Sequence, residues 1–149
     1  MHEMNPITYP VQIRWSDLDP NFHLRHSVYY DWGAYSRILF FNTNGLTGDV
    51  LRQLNIGPII FREECVFRKE IRFEDEITVD LQVTKAKKDF SRWSVRHHIM
   101  KNKEVLAATL TLDLAWINTI ERKLAIPPQQ VIAAIDSMPK HESFERLEK

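Results

Sequence analysis

Residues 27–43, SVYYDWGAYSRILFFNT, decide how the rest of the chain must be arranged. Ser27 opens the stretch with a side chain that can accept from first-turn N–H groups, and Asn44–Gly45 closes it with a pair that stops helices. Between them only Asp31 and Arg37 carry charge, and apolar or aromatic side chains fall on every side of a helical projection. Such a helix would be about 25 Å long at 1.5 Å per residue. A helix without a polar face cannot lie on the surface of a water-soluble domain. It is also too short, and too polar at its ends, to cross a bilayer. The stretch therefore predicts a central helix buried by other elements.

Working outward, those elements are visible as period-two strands. Upstream, residues 8–15 place Val11, Ile13 and Trp15 against Gln12 and Arg14. The polar segment 16–21, SDLDPN, follows, and Pro20 keeps Asp19 out of the helical region, so Asp19 belongs to a loop. Downstream, a short second helix is expected near 46–54 and strands near 59–68, 77–84, 90–100 and 105–116. Trp93, Val95, His97 and Ile99 share one face, as do Leu106, Ala108, Leu110, Leu112, Leu114 and Trp116. Short polar turns such as Lys101–Asn102–Lys103 join them, which predicts an antiparallel meander with one dry face. Pro127–Pro128 opens a last short helix from Gln129 to about Met138, and the polar tail from Pro139 is expected to fray. Strand, helix, then strands make an α+β domain occupying residues 1–149, one long sheet wrapped around one helix. A single helix leaves a sheet edge uncovered, so a homodimer or homotetramer is expected.

Composition narrows the partners. Lys+Arg and Asp+Glu stand at 20 each in 149 residues, so no net field attracts nucleic acid or an anionic membrane. The N-terminal MHEMNPITYP has no leader-like apolar core, no stretch is long enough to span a bilayer, and a cytoplasmic location is expected. The single cysteine, Cys65, excludes an intrachain disulfide and reads as a small packing residue.

The segment 11–37, VQIRWSDLDPNFHLRHSVYYDWGAYSR, resembles the signature of the 4-hydroxybenzoyl-CoA thioesterase-like proteins, which are hotdog-fold acyl-CoA thioesterases. That signature is a strand running into Asp-x-Asp, a short loop that often holds Gly-His, and an aromatic helix with a Tyr and a closing Ala-Arg or Ser-Arg. Here these are Asp17 and Asp19, His23, Tyr29 or Tyr30, and Ser36–Arg37. The resemblance implies a hotdog fold, an acyl-CoA substrate whose CoA is part of the substrate with no separate cofactor, and a site at a dimer interface. It implies Asp19 as the catalytic carboxylate and the backbone N–H groups of about His26–Ser27 as the carbonyl-polarising donors. The chain departs from the family at Phe22, where the loop usually has Gly. Phe lacks that conformational freedom, so Phe22 is expected either to wall the pocket or to make the substrate lie differently.

Thioester hydrolysis needs a nucleophile at the acyl carbon and a stabilised oxyanion. A helix N-terminus supplies unpaired N–H groups and a positive dipole end. A carboxylate can attack directly or activate water. The bland alternative for the Asp pair is turn capping, and Asp17 is expected to be structural. His23 is a candidate for orienting the site. Two His and two Asp in one loop are a weak metal signature, and no metal is expected. Tyr29 and Tyr30 are candidates for lining the acyl pocket. Lys88, Ser91 and Arg92, in the basic cluster with Lys85 and Lys87, are candidates for contacting the phosphates and arm of CoA. A non-catalytic acyl-CoA or acyl-carrier binding protein is the competing function.

Overall fold

The structure is a computed structural model that describes residues 7–148. The reading of the first six residues as no leader lies outside the described part. The elements run β1 (Thr8–Val11), a 3-10 turn (Trp15–Asp17), α1 (His26–Thr43), α2 (Gly48–Gln53), β2 (Ile56–Phe67), β3 (Ile77–Asp80), β4 (Gln82–Lys87), β5 (Arg92–Lys101), β6 (Val105–Asn118), β7 (Lys123–Leu124), α3 (Gln129–Asp136) and β8 (Lys140–Leu147).

Strands β5 and β6 form the spine, antiparallel from Arg92↔Ala115 to Lys101↔Val105. On the far side of β6 lies β2. On the far side of β5 lie β3 and β4, one expected strand broken at Leu81. β1 continues the sheet beyond β3. The inward row of β5, Trp93, Val95, His97 and Ile99, is fully buried, as is the row Ala108, Leu110, Leu112, Leu114 and Trp116 of β6. These rows bury against α1 and, around Trp93, Leu114 and Trp116, in a cluster shared with Val131 and Ile135 of α3, which stabilises by about 25 cal/mol per Å² of apolar surface.

Three expectations need correction. The C-terminal segment does not fray. Residues 140–147 form β8, parallel to β4, because Phe144 returns to the core and the segment covers an edge that β4 would otherwise expose. The first strand stops at Val11, and its expected end is a 3-10 turn that leaves Trp15 exposed. The N-cap of α1 is Arg25, not Ser27, so His26 and Ser27 occupy the first helical turn.

The wrapping of α1 is also incomplete within one chain. Val28, Tyr29, Trp32, Phe40 and Phe41 are buried, but Asp31, Tyr35, Ile38 and Asn42, spaced as one helical stripe, are exposed. At the other end α1 stops where the sequence implies: Asn44 caps it, and Gly45 takes φ 82, a left-handed conformation suited to glycine.

Candidate active site

The Asp pair divides into two unlike environments. Asp17 is buried at 2% exposure. Its Oδ2 accepts from the Arg14 N–H at 2.9 Å, and its Oδ1 accepts from Arg14 Nη2 at 3.1 Å. Burial alone raises its pKa, but the Arg14 hydrogen bonds and the charges of Arg14 and Arg25 outweigh it and hold the carboxyl below the ordinary range. The Asp17 carbonyl also accepts from the Arg25 N–H at 2.7 Å, which ties the entry of α1 to the turn. Asp17 is thus a fastening.

Asp19 sits at the mouth of a small hairpin. Leu18 bridges Leu24. The Phe22 N–H donates to the Asp19 carbonyl at 2.9 Å, closing a turn with Pro20 at its second position, and the Asp19 N–H donates to the His23 carbonyl at 2.8 Å. Phe22 follows the turn with φ 63. This is the turn-plus-bulge loop in which a residue with positive φ, normally glycine, is required. The chain has kept the glycine conformation and placed a phenylalanine in it, with the ring 76% exposed. The side chain of Asp19 is aimed by the same loop. Its Oδ1 accepts from the N–H groups of Asn21 at 2.8 Å and His23 at 3.1 Å. Its Oδ2 has no hydrogen-bond partner among the described residues.

The returning arm of the hairpin leads directly into α1. No side chain caps that helix. The Val28 N–H donates to the Arg25 carbonyl, while those of His26 and Ser27 have no partner among the described residues. Two donors and the positive end of the helix dipole therefore stand open a few residues from Asp19. His23 braces the loop from below. It bridges Arg72, and its Nε2 lies 3.0 Å from Glu70 Oε2. A hydrogen bond from Arg72 and the neighbouring His23 hold the Glu70 carboxyl below its ordinary pKa.

Tyr29 lies just inside, its ring edge-on to Phe67 at 4.9 Å. Burial, then the negative charges available to Cys65, Asp19 and Glu70, push its phenol up to about 12. Tyr30 is half-buried beside Cys65, and burial raises it as well. The Cys65 thiol is pushed up to about 11 by burial and by Glu63, so it stays protonated and unreactive near neutrality. Among the described residues no group of three or more His, Cys, Asp or Glu side chains converges to hold a metal.

The expected phosphate contacts are not brought to this place within one chain. Lys88 and Ser91 lie in the β4–β5 turn, and Arg92 begins β5. Glu70, the partner of His23, accepts at its carbonyl from Lys101, which ends β5. The strand between them spans about 30 Å at 3.3 Å per residue. Asp89 holds Ser91 through its N–H and hydroxyl. Lys87, Lys88 and Arg146 border an open hollow on that side, and the Arg92 guanidinium sits 4.9 Å over the Phe61 ring.

Sequence reading missed a polar cluster in the middle of α1. Ser36, Arg37 and His97 are all buried, and Arg37 Nη1 lies 2.9 Å from His97 Nε2. The alternation of β5 did place His97 on the inward face, but nothing in the sequence pairs it with a residue 60 positions away.

The sequence matches the model of the thioesterase-like superfamily over residues 13–135. The chain belongs to that superfamily. No curated protein sequence matches it. Solved structures share its fold at low identity. A hypothetical protein from Staphylococcus aureus, in complex with CoA, is 19% identical over 95% of this chain and 90% of that one, with TM-score 0.82. The 1,4-dihydroxy-2-naphthoyl-CoA thioesterase from Synechocystis is 19% identical over 89% and 96%, with TM-score 0.78. A DHNA-CoA thioesterase from Staphylococcus aureus is 18% identical over 81% and 80%, with TM-score 0.73. The superfamily's sheet curled around a central helix, the hotdog fold, is therefore the fold of this chain. Among the described residues no helix is long and apolar enough to cross a membrane.

Proposed function

We propose that the protein hydrolyses acyl-CoA thioesters at a site built by two copies of the chain, with Asp19 as the catalytic carboxylate. The observation that carries this reading is the state of Asp19. One carboxylate oxygen is pinned by two backbone N–H groups, the other is open, and the same hairpin runs into the uncapped N-terminus of α1. The acyl carbonyl oxygen would take the His26 and Ser27 N–H groups, which are worth most as charge develops on it. Asp19 would either attack the acyl carbon, with the C–S bond breaking to release the CoA thiol and leave a mixed anhydride on Asp19 that water then hydrolyses to the free acid, or deprotonate a water that attacks the acyl carbon, with the C–S bond breaking to give the free acid and the CoA thiol directly. His23, held by Glu70, would keep the hairpin in place, and Tyr29, Tyr30 and Phe22 would line the acyl approach.

Pairing of two copies through β2 brings the remaining candidates into use. The outer edge of β2 has no strand beside it among the described residues. Ile60, Phe61, Val66 and Phe67 on β2 and Tyr35 and Ile38 on α1 are exposed apolar side chains. Such an edge and such side chains call for cover. Antiparallel pairing of β2 with its symmetry mate would set one copy's Phe61 and Arg92 end beside the other's Phe67 and Tyr29 end. Lys88, Ser91 and Arg92 would then serve the partner's Asp19, with the basic turn on the CoA phosphates. The CoA held by the Staphylococcus aureus relative is consistent with that ligand class.

The deciding experiment is thiol release from short, long and aromatic acyl-CoAs by the native protein and by Asp19→Asn. The expected outcome is turnover by the native protein that falls by a factor of about 10² to 10⁴ in the variant, with an unchanged melting temperature. Undiminished release by the variant would remove Asp19 from the mechanism. One observation favours a second reading, a non-catalytic acyl-CoA binder: Phe22 occupies the glycine position beside Asp19. Binding of acyl-CoA with no thiol release from any substrate would establish it.

A further inference from the structure

The C-terminal strand builds one wall of a hollow that the β4–β5 turn alone would not form. The match to the superfamily model ends at residue 135, and β8 lies beyond it. Against the turn, β8 and α3 enclose an open space of about 1340 Å³. Lys87 and Lys88 line it from the turn, Ile132 from α3, and Arg146 and Leu147 from β8.

Arg146 is tied to that turn. β8 runs parallel to β4 with Arg146 opposite Ala86 and Leu147 opposite Lys87. Arg146 Nη1 donates to the Lys87 carbonyl at 3.3 Å, and the same carbonyl accepts the Phe90 N–H at 3.0 Å. The guanidinium carbon stands 5.0 Å from the centre of the Phe144 ring and 5.8 Å from that of Phe90. Phe90 is itself buried, so the guanidinium rests on a fixed support. A guanidinium carries five N–H donors, and only the one to Lys87 has a partner among the described residues. Among those residues neither Arg146, Lys87 nor Lys88 forms an ion pair. Two carboxylates border the hollow, Asp89 and Glu148. Asp89 is engaged by the Ser91 N–H and hydroxyl, at 2.9 and 2.6 Å. A planar fork seated on aromatic rings matches phosphate oxygens two at a time, and a lysine adds a second charge. Ile132 and Leu147 add an apolar surface suited to the face of a base.

We propose that this hollow takes the phosphorylated adenosine end of CoA, with a phosphate on Arg146 and Lys88 and the base against Ile132 and Leu147. β8 then makes the protein prefer thioesters carried on CoA to those on a pantetheine arm without a nucleotide. This rests on the activity proposed above and extends it from the β4–β5 turn to a strand outside the matched region.

Calorimetric titration of the whole protein with adenosine 3′,5′-bisphosphate and with adenosine reads the hollow without any turnover. The bisphosphate should bind about ten-fold more tightly than adenosine, and Arg146→Gln should remove that advantage while Arg146→Lys keeps part of it. In hydrolysis, Arg146→Gln should raise KM for an acyl-CoA about ten-fold at unchanged kcat and leave KM for the same acyl group on pantetheine unmoved. Bisphosphate binding no tighter than adenosine, or undiminished in Arg146→Gln, would overturn the proposal, as would an equal rise in KM for both thioesters. Should no thioester be hydrolysed, the proposed activity fails and the titrations still decide the hollow. Thiol release with no effect of Arg146 on either measurement would remove this proposal alone.

Discussion

The two ends of the polar chemistry on α1 are arranged in opposite ways. At its N-terminus, polar groups are held in position but left unpaired: the N–H groups of His26 and Ser27 and one oxygen of Asp19. In its middle, the polar side chains are sealed inside. Ser36 donates to the Gly33 carbonyl at 2.8 Å, and His97 is engaged at both ring nitrogens. An added Cβ at Gly33 would stand 3.1 Å from Leu110 and 3.3 Å from His97, so the helix packs down onto this cluster. Open polar groups at a helix end cost little because water reaches them until a substrate does. Buried ones must find partners in the protein. The first region is arranged for chemistry, the second for holding α1 in register on the sheet.

Substitutions can break or sharpen that contrast. The largest effect is expected at the open end, where Asp19→Asn should remove most turnover and leave the thermal transition unmoved. The sealed region should instead show itself in stability. His97 has its folded pKa depressed to about 3, against about 6.5 for an unfolded histidine. Between those values the unfolded state binds the extra proton. Stability should therefore be full above about pH 6.5 and decline as pH falls towards 3, by roughly 1 to 2 kcal/mol per pH unit from this group. Denaturant midpoints across that range, compared with those of His97→Gln, check this: a native profile as flat as the variant's would mean His97 is not held neutral by burial.

Asp17→Ala comes next. It removes the acceptor of the Arg14 N–H and guanidinium, and should cost about 1 to 3 kcal/mol, read from the urea midpoint at constant slope. Activity should fall along with stability, since losing the side-chain bonds to Arg14 loosens the turn whose backbone carbonyl receives the Arg25 N–H at the entry of α1. The smallest effect is expected at Phe22. A non-glycine residue at φ 63 carries about 1 kcal/mol of strain, partly offset in Phe22→Gly by the extra entropy of the unfolded glycine. The variant should gain up to about 1 kcal/mol in thermal unfolding. A clear loss would mean that the exposed ring is covered in the assembled protein.

Much of this was legible along the chain. The aromatic run 27–43 implied a central helix, and strict alternation in 90–100 and 105–116 located β5 and β6, because burial on one face imposes a period that short-range sequence displays. The Asp17 and Asp19 pair was visible for the same reason: a loop motif is local. The fraying tail was misread because the sequence of β8 is mostly polar, and only the exposed edge of β4, supplied from 53 or more residues upstream, makes it a strand.

By itself, then, the sequence determined the helix, the strands and the loop that holds Asp19, all features written in local periodicity and turn chemistry. The tertiary structure alone supplied the bonds that fasten Asp17 and leave one oxygen of Asp19 open, and gave Phe22 a glycine's conformation. It alone set Lys88, Ser91 and Arg92 at the far end of β5 from Asp19, and joined Arg37 to His97. Each of these depends on contacts between residues brought together by folding, and desolvation and hydrogen-bond supply exist only once those residues meet.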